Sequence, residues 1–293
     1  MRTPATEYLI RQRVSALGRA LPAAKEGDVT SLHQARVATR RLRAALPLIS
    51  SGPKAQKVLR CVRRLTQVLG PVRELDVALI ILDELERAGD VPRAGIQRLR
   101  ASVGEERRQL QSRVRDEVDE FDVEKLRKRA LAAARKQAKA KDSMAARSAE
   151  EIHRRTARRA RQLAAAIEAA AALYLPDRLH DVRIAAKKLR YTLELDRGGR
   201  HVARLRTLKN AQDLLGRMHD LEVLIARTRS IQSSPGASTL KVSADLDRLV
   251  RHLETECRQL HGHYMTARPR LLALCDRLIA AAKPRERARS SAA

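Results

Sequence analysis

The 293-residue sequence predicts an all-α protein built from a duplicated half. Ala, Leu, Arg, Glu and Gln dominate long segments, and the alternation of β-branched with polar residues that is typical of strands is scarce. Glycine and proline separate these segments, as expected where helices end. Two motifs also recur in the same order, which indicates a repeated unit of about 140 residues.

Glycine and proline set the helix boundaries expected in the first half. Proline cannot donate a backbone hydrogen bond, and glycine readily adopts the conformation that ends a helix. Breaks are therefore expected at Gly52-Pro53, at Gly70-Pro71 and from Gly89 to Pro92. The expected helices are 5–20, 30–50, 54–69, 72–88, 92–119 and 123–140.

The second half follows the same rules, with breaks at Leu175-Pro176, at Gly198-Gly199 and within 233–238. The expected helices are 147–174, 177–197, 199–215, 217–230, 240–266 and 268–282. Residues 5–283 are expected to form one domain with halves of about 5–142 and 143–283. The last residues, 284–293, are expected to be a disordered tail.

The charge balance favours a strongly negative partner. The chain has 61 Lys and Arg against 34 Asp and Glu, a formal net charge of +27, which indicates a polyanion or an anionic surface. Aromatic residues are only 2% of the chain, which argues against a module that stacks single-stranded bases, although contacts to a nucleic-acid backbone remain open. No secretory h-region and no apolar run of about 18 residues is present, so we expect a cytoplasmic protein that does not span a membrane.

The most informative motif is a basic segment that occurs twice. The segment "HQARVATRRLR" at 33–43 returns as "HDVRIAAKKLR" at 180–190, an offset of 147 residues. The matching positions in the two copies are His33, Arg36, Arg40, Arg41 and Arg43, and His180, Arg183, Lys187, Lys188 and Arg190.

At about 100° per residue, four positions of each copy form one strip about 80° wide beside an apolar face. We call His33, Arg36, Arg40 and Arg43 the first stripe, and His180, Arg183, Lys187 and Arg190 the second stripe. Arg41 and Lys188 point elsewhere on the wheel. The expected apolar faces are Leu32, Ala35, Ala38, Leu42 and Leu46, and Leu179, Val182, Ala186, Leu189 and Leu193.

Other residues near the stripes are candidates for the same surface. If Thr30 and Asp177 cap their helices, both histidines lie in the first turn, where a phosphate would also meet backbone N–H groups. The helix after each stripe carries further cations that could wall a basic groove: Lys54, Lys57, Arg60 and Arg64, and Arg204 and Lys209.

A second motif follows each stripe, "LGPVRELDVALI" at 69–80 and "LGRMHDLEVLIA" at 215–226. Its acid-x-acid spacing does not suit two metal ligands on one helix face, so we expect the carboxylates to orient or pair with the basic residues. The supporting residues are Arg73, Glu74 and Asp76, and His219, Asp220 and Glu222.

Together, these duplicated motifs resemble the CHAD family, the conserved histidine α-helical domain, over about 5–283. The resemblance implies two pseudo-symmetric helical bundles of about four long helices each, which enclose a basic groove or pore. It also implies that inorganic polyphosphate is the ligand and that the protein associates with polyphosphate granules. The family's histidines fall on His33 and His180, and its basic positions on those of the two copies.

The leading hypothesis is therefore a polyphosphate-binding protein that is not an enzyme and has no cofactor and no metal site. One alternative is a helical protein that binds nucleic-acid backbones. Another is an enzyme that acts on polyphosphate with a histidine as acid, base or phosphoryl acceptor. The sequence contains no P-loop, no G-x-S-x-G and no H-E-x-x-H motif, and it gives no indication of oligomeric state.

Overall fold

The computed structural model describes residues 5–49, 53–139, 144–194, 201–233 and 239–281, and every regular element in these ranges is a helix. The all-α prediction is therefore confirmed. The helices are α1 (Ala5–Lys25), α2 (Val29–Ile49), α3 (Pro53–Ala88), α4 (Arg93–Asp119), α5 (Val123–Lys139), α6 (Met144–Ala170), α7 (Pro176–Leu193), α8 (Val202–Gln232) and α9 (Leu240–Ala280).

Three expected breaks are wrong because helices run through them. α3 continues across Gly70-Pro71, α8 across residue 216, and α9 across residue 267, where one expected helix ended and the next began. A proline inside a helix removes one hydrogen bond, but burial of the apolar residues around it can outweigh that loss. Leu69 and Val72, which flank the break expected in α3, are both fully buried. The predicted breaks at 89–92 and at Leu175-Pro176 are confirmed. The break at 198–199 and residues 234–238 of the last one lie outside the described residues.

The chain divides into two compact units, the first of which contains residues 1–143 and 217–259. In this unit α2 packs against α1 and α3, α4 packs against α3, and α5 packs against α1 and α3. Its core is formed by leucine, isoleucine, valine and alanine side chains, among them Leu17, Leu32, Leu65 and Leu82. α2 is therefore held between two neighbours, which fixes the face that it turns to solvent.

The second unit contains residues 144–216 and 260–293. α6 packs against α7 through buried residues that include Leu163, Ile167 and Leu179. The compact units differ from the predicted sequence halves, because residues 217–259 of the second half belong to the first unit. The pseudo-symmetry of two bundles stays a prediction, and the predicted tail at 284–293 lies outside the described residues.

Candidate functional site

The first stripe lies at the border of the buried face of α2, as the helical wheel predicted. All five residues expected on the apolar face of this helix are buried. Arg36 and Arg40 are half-buried, whereas His33 and Arg43 are more exposed. Arg41 is exposed outside the stripe, and its backbone oxygen accepts a 2.9 Å hydrogen bond from Nη1 of Arg13. The hydrophobic packing of α2 therefore holds the four stripe residues along one edge.

The start of α2 differs from the expectation. Asp28, not Thr30, caps the helix: its Oδ1 accepts a 2.7 Å hydrogen bond from the backbone N–H of Ser31. Hydrogen bonds from the side chain of Ser31 and from its backbone N–H lower the pKa of Asp28. Because α2 begins at Val29, His33 is its fifth residue, two positions further into the helix than a cap at Thr30 would place it. A phosphate beside His33 would thus meet side chains rather than unsatisfied backbone N–H groups.

The start of α7 also corrects the expected cap. Leu175 is the capping residue and makes no side-chain hydrogen bond, while Pro176 occupies the first helical position. Proline suits that position because its fixed backbone angle is helical and its missing N–H has no helical partner there. Asp177 lies within the first turn, where a negative charge complements the helix dipole. His180 is the fifth residue of α7, the position that His33 has in α2.

Two arginines of α3 lie beside the first stripe. The pKa of His33 is lowered by partial burial and by the positive charges of Arg73 and Arg36. At the other end of the stripe, partial burial and the charges of Arg63 and Arg40 lower the pKa of Arg43. Arg73 and Arg63 therefore extend the stripe across the packing interface of α2 and α3.

The cations predicted on α3 lie on another face of that helix. Arg64 donates from Nε to Glu117 at 2.5 Å and from Nη2 to Glu120 at 2.7 Å, both at the end of α4. Lys57 and Arg60 are exposed, and the side chain of Lys54 lies outside the described residues. The structure thus does not bring Arg64 to the stripe and places Arg63 there.

The second stripe repeats the arrangement in the second unit. All five residues predicted on the apolar face of α7 are buried. The pKa of His180 is lowered by partial burial and by Arg183 and Lys187, against smaller opposing effects of nearby aspartates. Arg190, the last stripe residue, lies 3.4 Å from a carboxylate oxygen of Glu194. Each histidine therefore shares its stripe with cations that disfavour its protonation.

The remaining predicted cations of the second unit lie in different surroundings. Lys188 lines a groove of ≈ 300 Å³ between α6 and α7, on the side of α7 away from the second stripe. Nη1 of Arg204 lies 3.1 Å from Nδ1 of His201. Nζ of Lys209 is 3.7 Å from Asp213, one turn further along α8. None of these contacts places Lys188 or Arg204 at the second stripe.

The buried carboxylate of the second motif joins neighbouring helices of the first unit. Asp76 is buried, and its Oδ1 accepts a 2.6 Å hydrogen bond from Nε of Arg107. Nη2 of Arg107 also donates to the backbone oxygen of Gly27 at 2.8 Å, so this pair joins α3 and α4 to the turn before α2. Burial lowers the pKa of Arg73, and the nearby negative charges of Asp76 and Asp220 oppose this shift. The other supporting residues are exposed, as for Glu74, or half-buried, as for His219, Asp220 and Glu222.

Asp76 thus pairs with a basic residue, but its partner, Arg107, belongs to neither stripe and carries no sequence motif that marks it. The pairing of the carboxylates with stripe arginines stays a prediction. Within the described ranges, no three His, Cys, Asp or Glu side chains are grouped so that they could hold a metal ion. A search of the same residues finds no helix with the length and apolar character needed to cross a membrane.

Comparison with known proteins agrees with this helical arrangement. The family model described as "CHAD domain" matches residues 8–229. The crystal structure of the CHAD domain from the plant Ricinus communis is 24% identical, has a TM-score of 0.62, and the match covers 94% of this chain and 91% of that one. PptA from Streptomyces chartreusis is 17% identical with a TM-score of 0.58, over 89% of this chain and 97% of that one. A comparison with curated proteins finds no match.

Proposed function

The chain belongs to the CHAD domain family, and from that premise we propose that it binds inorganic polyphosphate through its two stripes and does not catalyse a reaction on it. The family resemblance suggests the ligand. The electrostatics of the stripes support an anionic polymer, because clustered arginines repel one another unless an anion lies between them. Arginine also binds phosphate oxygens with two parallel hydrogen bonds.

The observation that carries this proposal is the identical placement of the two stripes. Each begins with a histidine at the fifth residue of its helix, and each borders five buried apolar residues, four of which match between the copies at the 147-residue offset. A solvated basic helix face would not need this agreement in two copies 147 residues apart. The repeated pattern is thus best explained by one recurring ligand group, the phosphate.

Polyphosphate binding is tested by a pair of charge reversals with a matched control. Arg40→Glu with Arg43→Glu should weaken the binding of long-chain polyphosphate, measured by calorimetry, about ten-fold or more, because each reversal replaces attraction by repulsion. Arg158→Glu with Arg161→Glu changes the net charge equally at two exposed positions of α6 and should have little effect. Equal losses in both variants would show that only the net charge matters. Circular dichroism checks that both remain helical.

Competition separates polyphosphate from nucleic acid as the ligand. At fixed salt, duplex DNA or structured RNA should displace labelled polyphosphate only at a much higher concentration of phosphate groups. Displacement at a comparable concentration would instead favour the nucleic-acid alternative, because contacts to the phosphate backbone alone do not depend on the kind of polymer.

Catalysis and granule association are tested separately. Polyphosphate incubated with the protein should keep its chain length and release no phosphate. Shortening that disappears with His33→Ala or His180→Ala would support an enzyme. In cells that contain polyphosphate granules, a fluorescent fusion should collect at the granules, and the reversal of Arg40 and Arg43 should disperse it. An unchanged distribution would contradict the proposed association.

A further inference from the structure

α3 carries a second row of residues with the spacing of the first stripe. The row is separated by intervals of three, four and three residues and consists of Arg63, Thr66, Gly70 and Arg73. At about 100° per residue, this spacing confines the four positions to a strip about 80° wide. Arg64 falls about 100° away from Arg63, in agreement with its ion pairs to α4. The neighbouring residues Arg63 and Arg64 therefore lie on different faces of α3.

The two rows run in opposite directions and face each other where α2 packs against α3. His33, at the start of the first stripe, interacts with Arg73, at the end of the row on α3. Arg43, at the other end of the stripe, interacts with Arg63. Because both helices rise by about 1.5 Å per residue, an antiparallel alignment at these two ends puts Gly70 opposite Arg36 and Thr66 opposite Arg40. We call this pair of rows the α2–α3 seam.

The second unit contains part of the same arrangement. On α8, Lys209, Gln212 and Gly216 repeat the spacing of Arg63, Thr66 and Gly70. A Cβ atom added to Gly216 would lie 3.9 Å from Nε of Arg183, which is the counterpart of Arg36. A glycine of α8 thus lies beside the second residue of the second stripe, which agrees with the register inferred for the first copy.

The middle of the seam has room for a ligand. Gly70 is buried within α3, yet an added Cβ atom would meet no atom within 4 Å. Packing therefore does not require glycine there, and glycine weakens a helix interior. The row on α3 has arginines at its two ends and small residues between them. It therefore leaves an open surface between positive charges, on which a chain of phosphates could lie.

This step rests on the proposed function: we infer that polyphosphate lies lengthwise along the α2–α3 seam and that Arg63 binds its phosphates together with Arg43. Arg63 is exposed and makes no salt bridge or side-chain hydrogen bond within the described ranges. His33 and Arg43 are ten residues apart on α2, so the seam is about 15 Å long. That length favours an extended chain of phosphates over a single compact phosphate.

Arg63 and Arg64 provide a matched test, because they are adjacent arginines on one exposed stretch of helix. Arg63→Ala should weaken binding of long-chain polyphosphate about ten-fold, the typical effect of losing one charge-assisted contact. Arg63→Lys should retain more affinity than Arg63→Ala because it keeps the charge. Arg64→Ala should leave the affinity within about two-fold of the wild type, because Arg64 is already paired with Glu117 and Glu120.

The outcomes separate this inference from the proposed function. Wild-type affinity in Arg63→Ala, together with a large loss on reversal of Arg40 and Arg43, would overturn the seam and leave polyphosphate binding intact. Equal losses in Arg63→Ala and Arg64→Ala would also overturn it, because net charge would then account for both. A wild-type protein that does not bind polyphosphate would refute the proposed function itself. Calorimetry gives the affinities, and thermal unfolding confirms that each variant is folded.

Discussion

Replacing Arg40 and Arg43 with alanine should flatten the salt dependence of polyphosphate binding by a defined amount. A ligand neutralised by the five arginines of the α2–α3 seam displaces counterions, at about 0.7 per contact for a single-stranded polyanion. The seam alone should then give a slope of about −3.5 for log K against log salt concentration. From about 50 to 200 mM salt, this slope corresponds to a loss in affinity of about 100-fold.

The double alanine variant removes two of these contacts and should reduce the slope by about 1.4, which leaves a loss of about 20-fold over the same range. Fluorescence anisotropy of labelled long-chain polyphosphate, titrated at a series of sodium chloride concentrations, measures both slopes. Arg158→Ala with Arg161→Ala removes the same charge from α6 and should leave the slope unchanged. A wild-type slope shallower than about −2, or an equal flattening in the α6 variant, would refute the reasoning.

Two further outcomes concern protonation and packing. Burial and Arg73 lower the pKa of His33 in the free protein, and the negative charge of a bound phosphate should raise it again. Polyphosphate binding should then take up a proton and become tighter as the pH falls from 8 to 6. Calorimetry in buffers of different ionisation enthalpy measures that uptake, and a pH dependence of binding that is as large in His33→Gln as in the wild type would contradict the role of His33. Gly95→Ala should lower the unfolding temperature, because its Cβ atom would lie 3.1 Å from the backbone carbonyl carbon of Asp245; the clash costs about 1–3 kcal/mol. Gly262→Ala, with no atom within 4 Å and an exposed site, should instead stabilise α9 by about 0.5–1 kcal/mol, and equal shifts in the two variants would contradict the packing argument.

The sequence predicted the two stripes well because their positions depend on local periodicity. The spacing of leucine and alanine residues on α2 and α7 determines which face is buried, and the stripe follows from that face. The helix starts were less predictable, because several residues near each start can cap a helix. Asp28 lies two residues before the expected cap on α2, and proline begins α7.

The site on α3 could not be read from one copy of the motif. Arg60 and Arg64 form a regular basic face in the sequence. The carboxylates that pair with Arg64 are more than 50 residues away, so periodicity does not reveal them. Alignment of the two halves does contain a signal for Arg63. It precedes the glycine of the second motif by seven residues, as Lys209 does in the second copy. The repeat therefore predicts the register that periodicity alone misses.

The distribution of ion pairs, more than the net charge of +27, distinguishes the seam from the rest of the surface. Acidic side chains pair with arginines that join helices of the first unit, as Asp76 does with Arg107 and Glu106 with Arg227. Arg43 and Arg63 have no salt bridge within the described part of the chain. Because these acids are paired with other arginines, the neighbouring charges of Arg43 and Arg63 should attract an anionic polymer where α2 and α3 meet.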